Sequence, residues 1–140
     1  NSVNSAELKG NIGYIQITTF NSTTTDEFTD ALDWMREKNI KKIILDLRNN
    51  GGGLVSSSVE IAQQIVKKGK IIDVKFRDTK YNVTYESKLD KPEFDFAVLV
   101  NEHTASASEI LASAIQDSKG GTLIGTKTFG KAVIQNTYPQ

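Results

Sequence analysis

Two short apolar runs, within residues 40–47 and 94–100, each give way to a turn of small or polar residues and then to a segment of helical period. Runs of that length without strict alternation mark strands covered on both faces, and such strands sit in sheets with helices packed over them. The rest of the chain follows the same plan. Residues 10–20 carry Ile12, Tyr14, Ile15 and Ile17 as a partly buried strand would. Asn21-Ser-Thr-Thr-Thr25 is loop and cap material, and Thr24 or Thr25 ahead of Asp26 and Glu27 opens a helix. Phe28, Ala31, Leu32 and Met35 recur at helical spacing, and Asn39 is a natural stop. Residues 55–68 repeat the pattern with Val59, Ala62, Ile65 and Val66, closed by Gly69. Residues 70–76 and 81–86 alternate as a polar hairpin, and residues 122–124 and 132–138 read as closing strands. The order predicts one α/β layered domain whose mixed sheet has some antiparallel or exposed character.

At 140 residues the chain is long enough for one core. Lysine plus arginine and aspartate plus glutamate both number 17, so the net charge is zero. Charge therefore gives no reason to expect nucleic acid or an anionic membrane as a partner. No apolar run approaches the roughly 20 residues of a membrane span. Without cysteine there is no disulfide and no thiolate metal site, and the acidic residues show no metal-ligand spacing. No metal and no cofactor are expected.

The chemistry concentrates in two stretches. In Asn101-Glu-His-Thr-Ala-Ser-Ala-Ser-Glu-Ile110, Ser106 and Ser108 fall where the strand over residues 96–100 turns into a helix over residues 106–116. A hydroxyl on such a turn stands in the open, with helix N–H groups aimed at whatever it attacks. It needs a base, and the only histidine is His103, three residues before Ser106. In Thr128-Phe-Gly-Lys131 a lysine follows a glycine in an uncharged setting, where desolvation would lower its pKa far enough for it to act as a base. Residues 51–53 are three glycines after a buried strand, suited to close backbone approach and positive φ. Singly these features are ordinary: serines cap helices, loop histidines face solvent, glycine loops bind anions. Arg48 and Asp46 read as structural partners, and Ser108 as a cap or packing residue.

Three motifs in order carry a resemblance. Leu45-Asp-Leu-Arg-Asn-Asn-Gly-Gly-Gly-Leu54, Val98-Leu-Val-Asn-Glu-His-Thr-Ala-Ser-Ala-Ser-Glu-Ile-Leu-Ala112 and Gly125-Thr-Lys-Thr-Phe-Gly-Lys131 followed by Gln135 are similar to the catalytic domain of the C-terminal processing peptidases, also called tail-specific proteases. The similarity runs from about residue 8 to the end. It implies a ClpP/crotonase-like layered spiral of strands and helices. It also implies that residues 1–140 are one catalytic core, excised from a longer protein and lacking the usual PDZ domain. By the same resemblance Ser106 is the nucleophile, Lys131 the general base and Gln135 the residue that holds the amine. The oxyanion donors are the amides of Ala107 and of a glycine in residues 51–53, with Gly52 favoured. Asp117, eleven residues past Ser106, matches an aspartate that supports the site in some members.

The implied activity is serine endopeptidase cleavage of unstructured C-terminal tails of proteins, outside the cytoplasm of a bacterium, and the resemblance allows a homo-oligomeric parent. Two other classes compete. One is a non-catalytic module that binds a hydrophobic ligand or a peptide on the same scaffold, which has no need of Ser106, Lys131 and Gln135 together. The other is a crotonase-like acyl-CoA enzyme, for which no pair of glutamates stands beside the glycine loop. The sequence departs from the family pattern at Gly51, where a proline is common, at Thr104, where serine is usual, and at Ala132 after the lysine.

Overall fold

A computed structural model describes residues 1–128. Lys131, Gln135 and the strand expected over residues 132–138 lie outside the described residues. The central element is a five-stranded sheet in the order β1-β2-β3-β6-β7, built from β1 (Val3–Leu8), β2 (Ile12–Ile17), β3 (Lys42–Asp46), β6 (Asp95–Val100) and β7 (Gly121–Gly125). β1 and β2 are antiparallel, and every other neighbouring pair is parallel. β4 (Gly69–Val74) and β5 (Val83–Ser87) form a separate antiparallel pair, so the expected polar hairpin is present but outside the main sheet. The α/β class and the mixed sheet are as expected.

Parallel neighbours need crossovers, and the helical-period segments supply them: α1 (Thr24–Glu37) between β2 and β3, α2 (Val55–Ile65) after β3, and α3 (Ala107–Asp117) between β6 and β7. α2 touches both α1 and α3. Their apolar faces bury Phe28, Leu32 and Met35 from α1, Ile61 and Ala62 from α2, and Ile110, Leu111 and Ile115 from α3. Ile15, Ile17, Leu45 and Val98 close the core from the sheet side with no exposed surface. Truncating a residue such as Leu45 to alanine removes about 2–5 kcal/mol of stability.

Local chemistry explains the helix ends. Asp26 and Glu27 face the positive end of α1. At the other end Asn39 takes φ 57, its amide reaching Arg36 O while the Ile40 amide reaches Met35 O, which closes the helix where the sequence predicts. α2 stops at Ile65, three residues short of the expected end. The carbonyl of Val66 accepts the buried Ser87 hydroxyl at 2.8 Å and the Lys68 amide donates to Leu89 O at 2.8 Å, so contacts to the hairpin draw the chain out of the helix. β1 is the strand that the sequence does not announce. Its residues, Val-Asn-Ser-Ala-Glu-Leu, alternate weakly, and what holds it is β2 together with the Glu27 carboxylate, which accepts the amides of Ser2 and Val3.

Candidate active site

β3 and β6 lie side by side, with Asp46 opposite Leu99, so the loops leaving their C-terminal ends emerge together. In open α/β sheets this edge is where ligands bind. The two loops are stitched to each other by side chains. Asn101 Oδ1 accepts the Asn49 amide at 3.0 Å while its Nδ2 donates to Asn49 Oδ1 at 2.9 Å. The buried Thr104 hydroxyl donates to Leu47 O at 2.8 Å. Asn50, with no exposed surface, is the hub. Its Nδ2 donates to Ile17 O at 2.8 Å, its Oδ1 accepts the Gly52 amide at 2.8 Å, and its carbonyl accepts the Ala105 amide at 3.0 Å.

Ser106 stands at the N-cap of α3 with φ 57 and ψ −121, partly exposed. A residue with a β-carbon pays about 1–3 kcal/mol for such a backbone, and residues held this way cluster at functional sites. The strain is countered locally: the Ser106 amide donates to Glu109 Oε1 at 3.0 Å, and its carbonyl accepts the Glu109 and Ile110 amides at 2.9 and 3.1 Å. Ala107 is fully buried at the first helical position, and among the described residues no protein acceptor takes its amide. That N–H belongs to the unsatisfied set at every helix N-terminus, which attracts negative charge.

Gly52 packs directly against this turn. A β-carbon there would lie 2.7 Å from Ser106 Cβ and 3.1 Å from the Ala107 nitrogen, and φ is +109. Only glycine permits that approach. The carbonyl of Gly52 accepts the Phe20 amide at 2.9 Å and the Thr19 hydroxyl at 3.1 Å, which fixes the loop from β2. The glycine loop and the serine turn are thus brought together.

Other expected residues fall elsewhere. The Ser108 hydroxyl is buried and donates to Asn50 O at 2.6 Å, so it is a packing residue. The His103 ring is exposed, its Nε2 3.5 Å from Glu102 Oε1, and among the described contacts none joins it to Ser106. Asp117 ends α3 on the surface, 3.4 Å from the Ser113 hydroxyl. A helix rises about 1.5 Å per residue, so Asp117 lies about 15 Å along α3 from Ala107 and outside this cluster. Asp46 and Arg48 pair with each other, Arg48 Nε reaching Oδ1 at 3.0 Å and an NH2 reaching Oδ2 at 2.9 Å, while the Tyr14 hydroxyl donates to Oδ2. Asn50, Asn101, Glu109 and Thr128 escaped the sequence reading. For Glu109 a signal was present, since Ser-x-x-Glu before an apolar run is the spacing of a capping box.

Burial pushes the Asp46 carboxyl up, but the Arg48 guanidinium, the Tyr14 hydroxyl and the Arg48 amide outweigh it and hold it below the usual carboxylate range. A carboxyl with a folded pKa below its unfolded value contributes stability that is complete above the unfolded value, about 3.9, and fades as pH falls through the folded one. Urea unfolding of the full-length protein should therefore show a midpoint that drops below about pH 4. Asp46→Asn should lower the midpoint at neutral pH and shrink that drop. An acid dependence identical in the variant and the wild type would refute the assignment.

Residues 11–140 match the sequence model of Peptidase family S41. The chain belongs to that family. Over 132 residues it is 43% identical to the carboxy-terminal processing protease CtpA of Bacillus subtilis, covering 93% of this chain and 28% of that protein. Among solved structures, the photosystem II D1 C-terminal processing protease superposes with a TM-score of 0.78 at 34% identity, covering 94% of this chain and 38% of that one. A lipoprotein from Streptococcus agalactiae, 20% identical over 93% of this chain and 51% of its own, shares the fold with a TM-score of 0.72. The chain thus spans well under half the length of the processing proteases it matches. In S41 terms, the serine turn and glycine loop described above fall within the matched region, as do Lys131 and Gln135.

Proposed function

We propose that this chain is the catalytic core of a longer serine endopeptidase that acts on unstructured C-terminal tails of protein substrates outside the cytoplasm. Ser106 is the nucleophile, Lys131 the general base and Gln135 the residue that orients the amine. The observation that carries the reading is the backbone of Ser106: a serine at φ 57, at the head of a buried helix, with a glycine loop pressed against it and the Ala107 amide without a protein acceptor among the described residues. Family membership and the CtpA likeness set the reaction class.

In the proposed reaction the uncharged Lys131 amine takes the proton of Ser106 Oγ as that oxygen bonds to the substrate carbonyl carbon. The carbonyl oxygen gains the negative charge, and fixed N–H donors stabilise it, each worth about 10²–10³ in rate. Ala107 is the better-placed donor. Gly52 is proposed as the second, and since its N–H already serves Asn50 Oδ1, the oxyanion shares that amide with the side-chain oxygen. The lysine ammonium then gives its proton to the leaving amine as the C–N bond breaks. Water, deprotonated by the regenerated amine, next bonds to the acyl carbon, and the ammonium so formed returns the proton to Ser106 Oγ as the acyl C–Oγ bond breaks. An extended tail binds by adding as a strand to an open sheet edge.

The test is cleavage of a folded carrier protein bearing an unstructured C-terminal tail by the full-length protein. Mass spectrometry should find tail fragments and an intact carrier, and a fluorophosphonate should block the reaction while labelling Ser106. An unmodified tail, or cleavage that persists with Ser106 fully labelled, would reject the proposal.

A further inference from the structure

The dyad reading leaves one buried charge without a task. Glu109, in the first turn of α3, has no exposed surface, although a buried carboxylate is costly unless its oxygens are hydrogen-bonded. Both oxygens have partners, and the partners come from different parts of the chain. Oε1 accepts the amide of Ser106 at 3.0 Å. Oε2 accepts the hydroxyl of Thr128, nineteen residues further on, at 2.7 Å. A helix cap needs only the first bond. The second reaches past β7 to the segment that enters Thr128-Phe-Gly-Lys131, three residues ahead of the proposed base.

We infer that Glu109 and Thr128 are positioning residues that set the spacing between the nucleophile and its base. The inference rests on the assignment of Ser106 and Lys131 as the dyad. One oxygen of Glu109 holds the strained peptide that presents the Ser106 hydroxyl; the other anchors the chain just before the lysine. Hydrogen bonds to a carboxylate are shorter and stronger than neutral ones, so the clamp is stiff. Proton transfer between hydroxyl and amine depends steeply on distance, and displacing a reacting group by about 1 Å can cost 10²-fold.

Thr128→Val keeps the shape of the side chain and removes the donor. In the full-length protein it should lower kcat for tail cleavage by about 10²-fold and leave KM close to its original value, with a moderate fall in melting temperature because a buried carboxylate oxygen loses its donor. Thr128→Ser, which retains the donor, should restore most of kcat. Glu109→Gln can still bridge by turning the hydroxyl around but loses the charge, so its loss should be intermediate. The double variant Glu109→Gln/Thr128→Val should lose less than the product of the two single losses, because both substitutions weaken the Glu109–Thr128 connection. Wild-type kcat in Thr128→Val, equal losses in Thr128→Val and Thr128→Ser, or fully additive losses in the double variant would overturn the inference. Ser106→Ala and Lys131→Ala measured alongside separate the two levels. Turnover by either would overturn the dyad and the inference with it. Inactivity of both, beside a fully active Thr128→Val, would overturn the inference alone.

Discussion

Ser106→Ala and Lys131→Ala are each expected to lower kcat for tail cleavage by about 10⁶-fold, the scale seen when a serine hydrolase loses its nucleophile or base. Alanine keeps the β-carbon of Ser106, so the cost of φ 57 is unchanged and the turn has no reason to relax. The bond from the Ser106 amide to Glu109 Oε1 and those from the Glu109 and Ile110 amides to its carbonyl use only the backbone of residue 106, so alanine retains them and loses only the side-chain contact of the capping box. A loss of rate in Ser106→Ala therefore reports chemistry. The two losses should not add if, as proposed, the hydroxyl and the amine perform one proton transfer together. Kinetics of both single variants and the double, with circular dichroism to confirm the fold, provide the check. A Lys131→Ala enzyme within tenfold of wild type would place the base elsewhere.

Gly52→Ala is the second severe change expected, a loss of at least about 10²–10³-fold in kcat. The added carbon would sit 2.7 Å from Ser106 Cβ, 3.0 Å from the Ala105 carbonyl oxygen and 3.1 Å from the Ala107 nitrogen, and the φ of +109 is one that alanine resists. Two of those three neighbours are backbone atoms, which cannot swing aside as a flexible side chain does. Accommodation must displace the serine turn or the loop, and either movement separates the proposed oxyanion donors from the substrate carbonyl oxygen. Gly51 offers an internal contrast, since a β-carbon there meets nothing within 4 Å. Gly51→Ala should cleave tails at close to the wild-type rate. Equal activity of the two alanine variants would show that the contact at Gly52 has no part in catalysis.

What the sequence makes legible follows from how local each cause is. β3 and β6 are readable because both are short apolar runs, although the structure buries mainly one face of each, Ile43 and Leu45 in β3 and Phe96, Val98 and Val100 in β6, and leaves Ile44, Ala97 and Leu99 half-buried on the other. α1 is readable because its apolar stripe, acidic first turn and Asn39 stop all lie within the helix or beside it. β1 is not readable, because its order depends on pairing with β2 and on a carboxylate from α1 rather than on its own residues. α2 runs three residues long in the sequence reading for the same reason: the hydroxyl that ends it belongs to Ser87 in the hairpin. At the site, the motifs announce the serine, the glycine and the lysine as residue types that the chemistry requires. The scaffold that aims them is silent in sequence. Asn50, Thr104 and Asn101 act through partners 33 to 58 residues away, and a polar residue in a loop gives no hint of such a partner. The positive φ of Ser106 is equally invisible, since nothing in serine itself calls for it. Lys131 and Gln135 remain legible by motif alone.

The claim beneath all of this is that an uncharged Lys131 amine activates the Ser106 hydroxyl. Its most direct measurement is the rate at which a fluorophosphonate modifies Ser106 across a range of pH, in the full-length wild type and in Lys131→Ala. The account predicts a wild-type rate that climbs with pH through a single ionisation and a variant that reacts slowly with that ionisation gone. A Lys131→Ala protein that is modified at Ser106 as fast as the wild type, with the same pH profile, would contradict it.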